Sequence, residues 1–257
     1  DDLGSCVLAL SGGIDSSFLL AVASPLLGER CLALTAESAA VPAWDRADAV
    51  VAAEQASRHG VRWQTIPTKE LDDPRYALNP RSRCYFCKLE VYGAASAIAR
   101  AEGYAWVVDG TNASDTQRDD RPGMAAASEL AVRSPLAEAG ITKEQLRSLA
   151  RAIGIAGWDR PASACLASRI PFGEVITAER LRRVEAAELA LRALGFRQVR
   201  VRDFGGHARV EVDADELPKL EGRSLDIQAS LGGLGFESWS SAAYAGMGAG
   251  DSPNGRG

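Results

Sequence analysis

The sequence predicts an α/β protein with a parallel sheet covered by helices on both faces, followed by a small α+β domain. Short apolar runs (CVLAL, CLALT, VRWQTI and AWVVD) alternate with helix-length stretches over the first two-thirds of the chain. This alternation is typical of a parallel sheet with crossover helices. Beyond about residue 173 a helix, a hairpin, a helical stretch and a strand follow one another. We therefore expect one domain over residues 1–172 and another over residues 173–257, ending in a Gly-rich tail.

Helix-length segments and caps support this order. The helices predicted between the first strands are Ser16 to Ala23, Ala43 to His59, and Tyr85 to Glu102. The stretch TKEQLRSLARAIG begins with a capping box, Thr142 and Gln145, which predicts a further helix. In the last third, TAERLRRVEAAELALRALG predicts a helix, FRQVRVRDFGGHARVEV a hairpin, DADELPKL a helical stretch and GFESWSS a strand.

Composition favours a small-molecule partner. The chain has 257 residues, 46% of them hydrophobic and 25% charged, with a net charge of −5. Proteins that hold long nucleic acids are usually basic, so we expect no nucleic-acid partner. Because no apolar run approaches the roughly 20 residues that span a bilayer, we expect no membrane segment. No secretion signal opens the chain, which predicts a cytoplasmic protein, and we also expect a homo-oligomer.

Five cysteines in a chain of this length do not form a disulfide framework. Cys6 and Cys31 lie in apolar runs, and we expect both to be small core residues on strands. Cys84, Cys87 and Cys165 are the cysteines left for metal binding or catalysis.

The segment SGGIDSS follows the first predicted strand and opens a helix. Gly12 and Gly13 can turn successive N–H groups inward, and the helix adds the positive end of its dipole. Asp15 lies inside this anion cradle, where a cation such as Mg²⁺ would separate the carboxylate from phosphate. The hydroxyl donors of the loop are Ser11, Ser16 and Ser17.

The loop lacks the lysine of G-x-x-x-x-G-K-[ST], so it is not a Walker A loop. It resembles the SGGxDS loop of the PP-loop ATP-pyrophosphatases, which have an adenine nucleotide alpha hydrolase-like fold. That resemblance implies that ATP is bound and that pyrophosphate is released. It also implies ATP contacts from Thr35, after CLAL, and from Gly110 and Thr111, after AWVVD.

Two longer stretches are similar to the ATP-dependent sacrificial sulfur transferase family (LarE). They are VVDGTNASDTQRDDRPGMAAASELAVRSPLAEAGITKEQLR and WDRPASACLASRIPFGEVIT. The resemblance implies conversion of pyridinium-3,5-biscarboxylic acid mononucleotide to its bis-thiocarboxylic acid in nickel-pincer nucleotide biosynthesis. In that family ATP adenylates a carboxylate and sulfur displaces AMP. The pair Asp119 and Arg121 matches a D-Y-R-P-G segment of the family, with Asp120 in place of its tyrosine.

Two sulfur routes are open. Cys165 matches the cysteine that gives up its own sulfur in the family and becomes dehydroalanine, and Arg160 and Arg169 beside it would favour a thiolate. Alternatively, Cys84, Cys87 and Cys165 hold a 4Fe–4S cluster whose open iron carries sulfide from a separate sulfur donor. The cluster is the route we expect from the sequence, and a redox or structural role for the Cys84–Cys87 pair is the remaining alternative.

Four charged residues are expected to contact the substrate. Arg200 and Arg202 lie on one face of a predicted strand, and arginine suits phosphate recognition. Glu188 and Glu211 resemble acidic residues near the family's active site. Other functions remain possible from the sequence alone: a PP-loop tRNA thiolase, an amide-forming synthetase, or a nucleotide-binding Fe–S sensor without turnover.

Overall fold

A computed structural model describes residues 3–116, 122–160 and 163–244. Asp119, Arg121 and the Gly-rich tail lie outside these ranges. The described residues form two compact units. One comprises the described parts of Asp1–Asp72 and Ser82–Ser163, and the other those of Asp73–Arg81 and Ala164–Gly257. No helix in the described ranges is long and apolar enough to cross a membrane.

The strands are β1 (Cys6–Ala9), β2 (Cys31–Glu37), β3 (Arg62–Pro67), β4 (Trp106–Val108), β5 (Val199–Phe204), β6 (His207–Val212) and β7 (Ser238–Ala243). The α-helices are α1 (Ile14–Leu27), α2 (Ala43–Ser57), α3 (Pro74–Ala77), α4 (Arg83–Glu102), α5 (Ala113–Thr116), α6 (Pro122–Glu129), α7 (Pro135–Glu138), α8 (Lys143–Ala152), α9 (Ala178–Ala193), α10 (Leu217–Gly222) and α11 (Ser224–Gly232).

The first unit contains a parallel sheet in the order β3-β2-β1-β4. Successive side chains of β1 enter different cores, as the alternation of a strand requires. Leu8 packs in a core that also contains residues of α1, α2 and α8, whereas Val7 packs in a core with residues of α4. The predicted parallel sheet with helices on both faces is therefore confirmed.

Cys6 and Cys31 are register partners on β1 and β2. Both are fully buried in the apolar core, and their sulfur atoms are 3.9 Å apart. They are core residues on strands, as their apolar surroundings in the sequence predict.

The second unit contains a sheet in the order β5-β6-β7, in which β5 and β6 form an antiparallel hairpin and β7 runs parallel to β6. Val199 and Val201 on β5 pack with Leu191 of α9 and Ile227 of α11. Because side chains alternate along a strand, Arg200 and Arg202, which each follow one of these valines, lie on the opposite face of the sheet.

Residues 73–81 pack with the second unit, although they precede α4 in the chain. The Asn79 side chain donates hydrogen bonds to the carbonyls of Ile170 (3.1 Å) and Pro171 (2.7 Å). The Ile176 N–H donates to the Ala77 carbonyl at 2.8 Å. The second unit thus combines the segment Asp73–Arg81 with the described residues from Ala164 onward, and the domain boundary expected after residue 172 stays a prediction.

Candidate active site

The glycine loop joins β1 to α1, and two glycines make its packing possible. Gly12 has a φ of +80°, and a Cβ there would lie 1.8 Å from the Asp45 carbonyl oxygen of α2. Gly110 follows β4, and a Cβ there would lie 2.6 Å from the Ser16 nitrogen. Neither position has room for a side chain, so the loop backbone contacts both α2 and the segment after β4.

Ser16 braces the loop from within. Its buried hydroxyl accepts a hydrogen bond from the Ser11 N–H at 3.2 Å and donates one to the Gly13 carbonyl at 3.0 Å. The Ser11 hydroxyl lies 3.1 Å from the Ser16 hydroxyl. Ser11 is exposed, and Ser17 is half-buried on the first turn of α1. The loop therefore uses Ser16 to hold its own shape, and its nucleotide contacts stay a prediction.

Asp15 forms an ion pair that the sequence analysis missed. The Lys143 ammonium lies 2.6 Å from one Asp15 carboxylate oxygen, and the Asn112 amide lies 3.4 Å from the other. Lys143 is the first residue of α8, directly after the capping-box residue Thr142. In the sequence, the capping box predicts that a helix begins at Lys143. It gives no indication that the lysine pairs with Asp15. The fold thus supplies a lysine to a loop that lacks the Walker A lysine.

A buried hydrogen-bond network supports the turn after β4. Asp109, at the end of β4, accepts hydrogen bonds from the Tyr92 hydroxyl, the Ser134 hydroxyl (2.7 Å), and the Thr111 hydroxyl (2.8 Å) and N–H (3.1 Å). The Lys88 ammonium donates to the Tyr92 hydroxyl at 2.9 Å. The network therefore joins α4 to the turn that contains Gly110.

The network shifts the ionisation of its members. Burial by itself raises the pKa of Asp109, but the Lys88 charge and the hydrogen bonds from Tyr92, Ser134 and Thr111 outweigh burial and hold this pKa below its ordinary value. Burial and the Asp109 charge raise the pKa of Tyr92 to about 12. The folded state therefore favours a charged Asp109 and a protonated Tyr92.

Thr35 and Thr111, two of the predicted ATP contacts, have protein partners in this structure. Thr35 is buried on β2, and its hydroxyl accepts a hydrogen bond from the Trp63 indole at 3.0 Å. The Thr111 hydroxyl donates to Asp109. Their contacts with ATP stay predictions.

The cysteine pair lies in the first unit, at the start of α4. Cys84 is exposed and Cys87 is half-buried. Helix α6 passes close to this turn: a Cβ at Gly123 would lie 3.2 Å from the Lys88 Cγ and 4.0 Å from the Cys84 Cβ. Any chemistry of this pair would therefore take place at the junction of α4 and α6.

Cys165 belongs to the second unit and directly precedes a 3-10 turn, Leu166–Arg169. The thiol-bearing residue is half-buried, whereas Arg169 is buried and forms an ion pair with Glu188. Arg160, in the first unit, pairs with Asp48. Both arginines expected to favour a thiolate at Cys165 are thus ion-paired with carboxylates.

Three of the predicted substrate residues, Arg200, Arg202 and Glu211, lie on one face of the second sheet, whereas Glu188 lies on helix α9. Arg202 donates to Glu211 at 2.6 Å, and Arg209 donates to the same carboxylate at 2.9 Å. The Arg200 guanidinium lies 4.3 Å from the centroid of the Tyr244 ring. Burial, followed by the charge of the nearby Arg169, lowers the pKa of Arg200. This face therefore has crowded, buried positive charge.

The described residues give no support to the predicted cluster. In the ranges 3–116, 122–160 and 163–244, no three His, Cys, Asp or Glu side chains are grouped as a metal site requires. Cys84 and Cys87 belong to one unit and Cys165 to the other. The 4Fe–4S cluster stays a prediction from the sequence.

We predict that Asp109→Asn lowers the free energy of unfolding by about 2 kcal/mol at pH 7, because it removes a charged acceptor from buried donors. The pKa of Asp109 is lower when folded than its ordinary value of 3.8. The carboxylate's contribution is therefore full above pH 3.8 and is lost as the pH falls through the folded value. Urea unfolding of the wild type and of Asp109→Asn should show a difference in the free energy of unfolding that becomes smaller below pH 3.8.

Tyr92→Phe is the matched variant, because it removes one donor and leaves the carboxylate. Tyr92→Phe should lower the free energy of unfolding by a smaller amount, about 1 kcal/mol. An Asp109→Asn difference that stays the same at pH 3 and pH 7 would contradict the proposed ionisation.

Several known proteins are similar in sequence to this chain. The family described as thiamine biosynthesis protein (ThiI) matches residues 3–168. The chain is 34% identical to the pyridinium-3,5-bisthiocarboxylic acid mononucleotide synthase of Lactiplantibacillus plantarum, over 91% of this chain and 84% of the synthase. It is also 42% identical to protein slr1717 of Synechocystis sp. (85% and 80% covered) and 28% identical to protein MJ0830 of Methanocaldococcus jannaschii (90% and 86% covered).

The family match covers most of the first unit, and the match to the Lactiplantibacillus plantarum synthase extends over 91% of the chain. The chain therefore belongs to the PP-loop ATP-pyrophosphatases and, within them, to the LarE family of ATP-dependent sulfur transferases.

Proposed function

We propose that this enzyme adenylates and thiolates the carboxylates of pyridinium-3,5-biscarboxylic acid mononucleotide. The observation that carries the proposal is the similarity to the Lactiplantibacillus plantarum synthase, which extends over 91% of the chain. A substrate with a phosphate and two carboxylates is an anion that suits such a face.

The first step is adenylation. A substrate carboxylate oxygen attacks the α-phosphorus of ATP, the bond to the β-phosphate oxygen breaks, and pyrophosphate leaves. The backbone N–H groups of Gly12 and Gly13 and the N-terminus of α1 are suited to hold the leaving pyrophosphate. Lys143 would stabilise the charge that develops on it. Asp15 is the residue that would hold Mg²⁺, which neutralises phosphate charge when bound.

The arginine face is suited to the substrate phosphate. Arg202 and Arg209 share the Glu211 carboxylate, and Arg200 stacks on Tyr244. Arg169 and Glu188 also act on Arg200, so the buried guanidinium groups of this region outnumber the two buried glutamates. A bound phosphate would offset the energetic cost of that buried charge.

Cys165 supports the sulfur step. Its thiolate would attack the carbonyl carbon of the acyl adenylate, and AMP would leave with the electron pair of the carbon–oxygen bond. A base would then take the Cα proton of Cys165, and the Cβ–S bond would break with its electrons going to sulfur. The products are a thiocarboxylate and dehydroalanine. The sulfur donor and the homo-oligomer predicted from the sequence stay predictions.

We predict that Asp15→Ala lowers pyrophosphate release by at least about 100-fold, as expected for loss of a group that organises charge around the phosphates. The assay measures pyrophosphate release from ATP in the presence of the pyridinium mononucleotide. Asp159→Ala, an exposed position of the same unit, is the control and should keep wild-type activity.

The same assay tests the alternatives. Pyrophosphate release with tRNA and not with the mononucleotide would indicate a tRNA thiolase, and release with ammonia alone an amide-forming synthetase. A wild-type protein that binds ATP and releases no pyrophosphate with any acceptor would contradict an enzymatic function.

We predict that Arg202→Ala raises the KM for the mononucleotide about 10- to 100-fold, because a hydrogen bond to a charged group contributes about 1.5–3 kcal/mol. The KM for ATP should change by less than about twofold. Arg197→Ala is the control, since its side chain is 70% exposed and pairs with Asp215. Equal increases of both KM values would contradict a substrate-phosphate role.

We predict that Cys165→Ala abolishes thiolated product and keeps the first burst of pyrophosphate release, because the thiolate acts after adenylation. Product is measured by mass spectrometry. Product formation by Cys165→Ala at the wild-type rate would contradict the proposed role.

The companion variants Cys84→Ala and Cys87→Ala separate the two sulfur routes. If Cys165 gives up its own sulfur, both variants keep most activity, and one wild-type chain becomes lighter by one H₂S for each thiocarboxylate formed. If the three cysteines hold a cluster, both variants lose activity and the chain mass stays constant over many turnovers.

A further inference from the structure

The turn that contains Cys165 is held by a buried guanidinium. Arg169 donates to the Ala164 carbonyl at 2.7 Å, to the Cys165 carbonyl at 3.2 Å and to the Ser168 hydroxyl at 3.1 Å. These acceptors lie on both sides of the thiol along the chain. The Cys165 side chain makes no capping hydrogen bond to the 3-10 turn that follows it.

Glu188 holds the guanidinium in place. Its carboxylate oxygens accept from Arg169 Nε at 2.7 Å and from another Arg169 nitrogen at 3.0 Å. The side chains of Arg169 and Glu188 are 3% and 0% exposed. Glu188 also accepts the Val201 N–H of β5 at 3.0 Å. The pair thus fastens the cysteine turn to helix α9 and to the edge of the second sheet.

The energetics favour a geometric role for this pair. The attraction within a buried ion pair must offset the desolvation of both charges. Apolar residues of similar volume often stabilise a fold equally well, so stability alone does not explain this pair. The planar fork of arginine makes several hydrogen bonds in fixed directions, whereas lysine has a compact charge without this fork. Arg202 also reaches this turn, with Nη1 3.4 Å from the Ser168 carbonyl. The turn is therefore linked to the arginine face within the second unit.

We propose that Arg169 and Glu188 are a positioning pair that fixes the backbone of residues 164–168 and so holds the Cys165 thiol where it reacts. Neither side chain needs to contact substrate for this role, so Glu188 would act through Arg169 rather than as a substrate ligand. The proposal deepens the proposed function and rests on it for the reaction that the thiol performs.

The test compares Arg169→Lys, Glu188→Gln and the double variant R169M/E188L with the wild-type full chain. One readout, alkylation of Cys165 by iodoacetamide, is followed by peptide mass spectrometry without ATP and does not depend on activity. The second readout is the ratio of thiolated product to pyrophosphate released in the first turnover. Circular dichroism establishes that each variant is folded.

We expect Cys165 alkylation to accelerate at least about fivefold in all three variants, because the turn is no longer held, while alkylation of Cys84 stays within twofold. Product formation should fall about 100-fold, the loss that a displacement of about 1 Å at a reacting group can cause. The pyrophosphate burst should change less than threefold. The double variant should remain folded, and it should also lose product formation while its pyrophosphate burst is largely kept.

Arg183→Lys is the matched control. Arg183 is also on α9, and it donates to both carboxylate oxygens of the buried Asp203 of β5 and to the Gly205 carbonyl. The Arg183→Lys variant should show rates of Cys165 alkylation and of product formation close to those of the wild type. Changes as large as those of Arg169→Lys would indicate general loosening of the unit and would overturn the proposal.

Other results would also overturn it. Unchanged Cys165 alkylation in folded Arg169→Lys and Glu188→Gln would show that the pair does not hold the turn. Loss of the folded state in all three variants would show a role in stability alone. A wild-type protein that releases no pyrophosphate contradicts the proposed function instead, and the alkylation rates still decide the positioning role.

Discussion

The glycine loop depends on one contact, the close approach of the Gly110 backbone to the start of α1. β1 and β4 are neighbouring parallel strands, so the segments that follow them emerge at the same edge of the sheet. A Cβ at Gly110 would lie 2.6 Å from the Ser16 nitrogen, so only glycine allows the two segments to meet. Asp109 keeps the turn in place because its carboxylate binds Thr111 and Ser134.

Charge compensation governs the interior of both units. A buried carboxylate is costly unless it is paired or hydrogen-bonded, and Asp109, Glu188 and Asp203 each receive several donors. The arginine face of the second sheet differs, because Arg202 and Arg209 share one carboxylate and Arg200 lies near another arginine. The buried side chains of this face thus include the three guanidinium groups of Arg200, Arg202 and Arg209 and the carboxylate of Glu211.

The cysteines differ in their surroundings more than in their chemistry. Cys6 and Cys31 are fully buried in the core of the first unit. Cys84 and Cys87 lie on the first turn of α4, beside α6. Cys165 lies on a short turn that a guanidinium organises from inside the second unit. The accessible thiols are therefore those outside regular strands.

The sequence by itself determined the parallel sheet, the hairpin and the glycine loop, because hydrophobic periodicity and glycine spacing are local properties. It also indicated the family through strings such as SGGIDSS and ACLASRIP. Only the tertiary structure decided that Lys143 pairs with Asp15, 128 residues away in the chain, and that Glu188 binds Arg169. Such pairings depend on how helices pack on sheets, and a charged residue in the sequence carries no local sign of its partner.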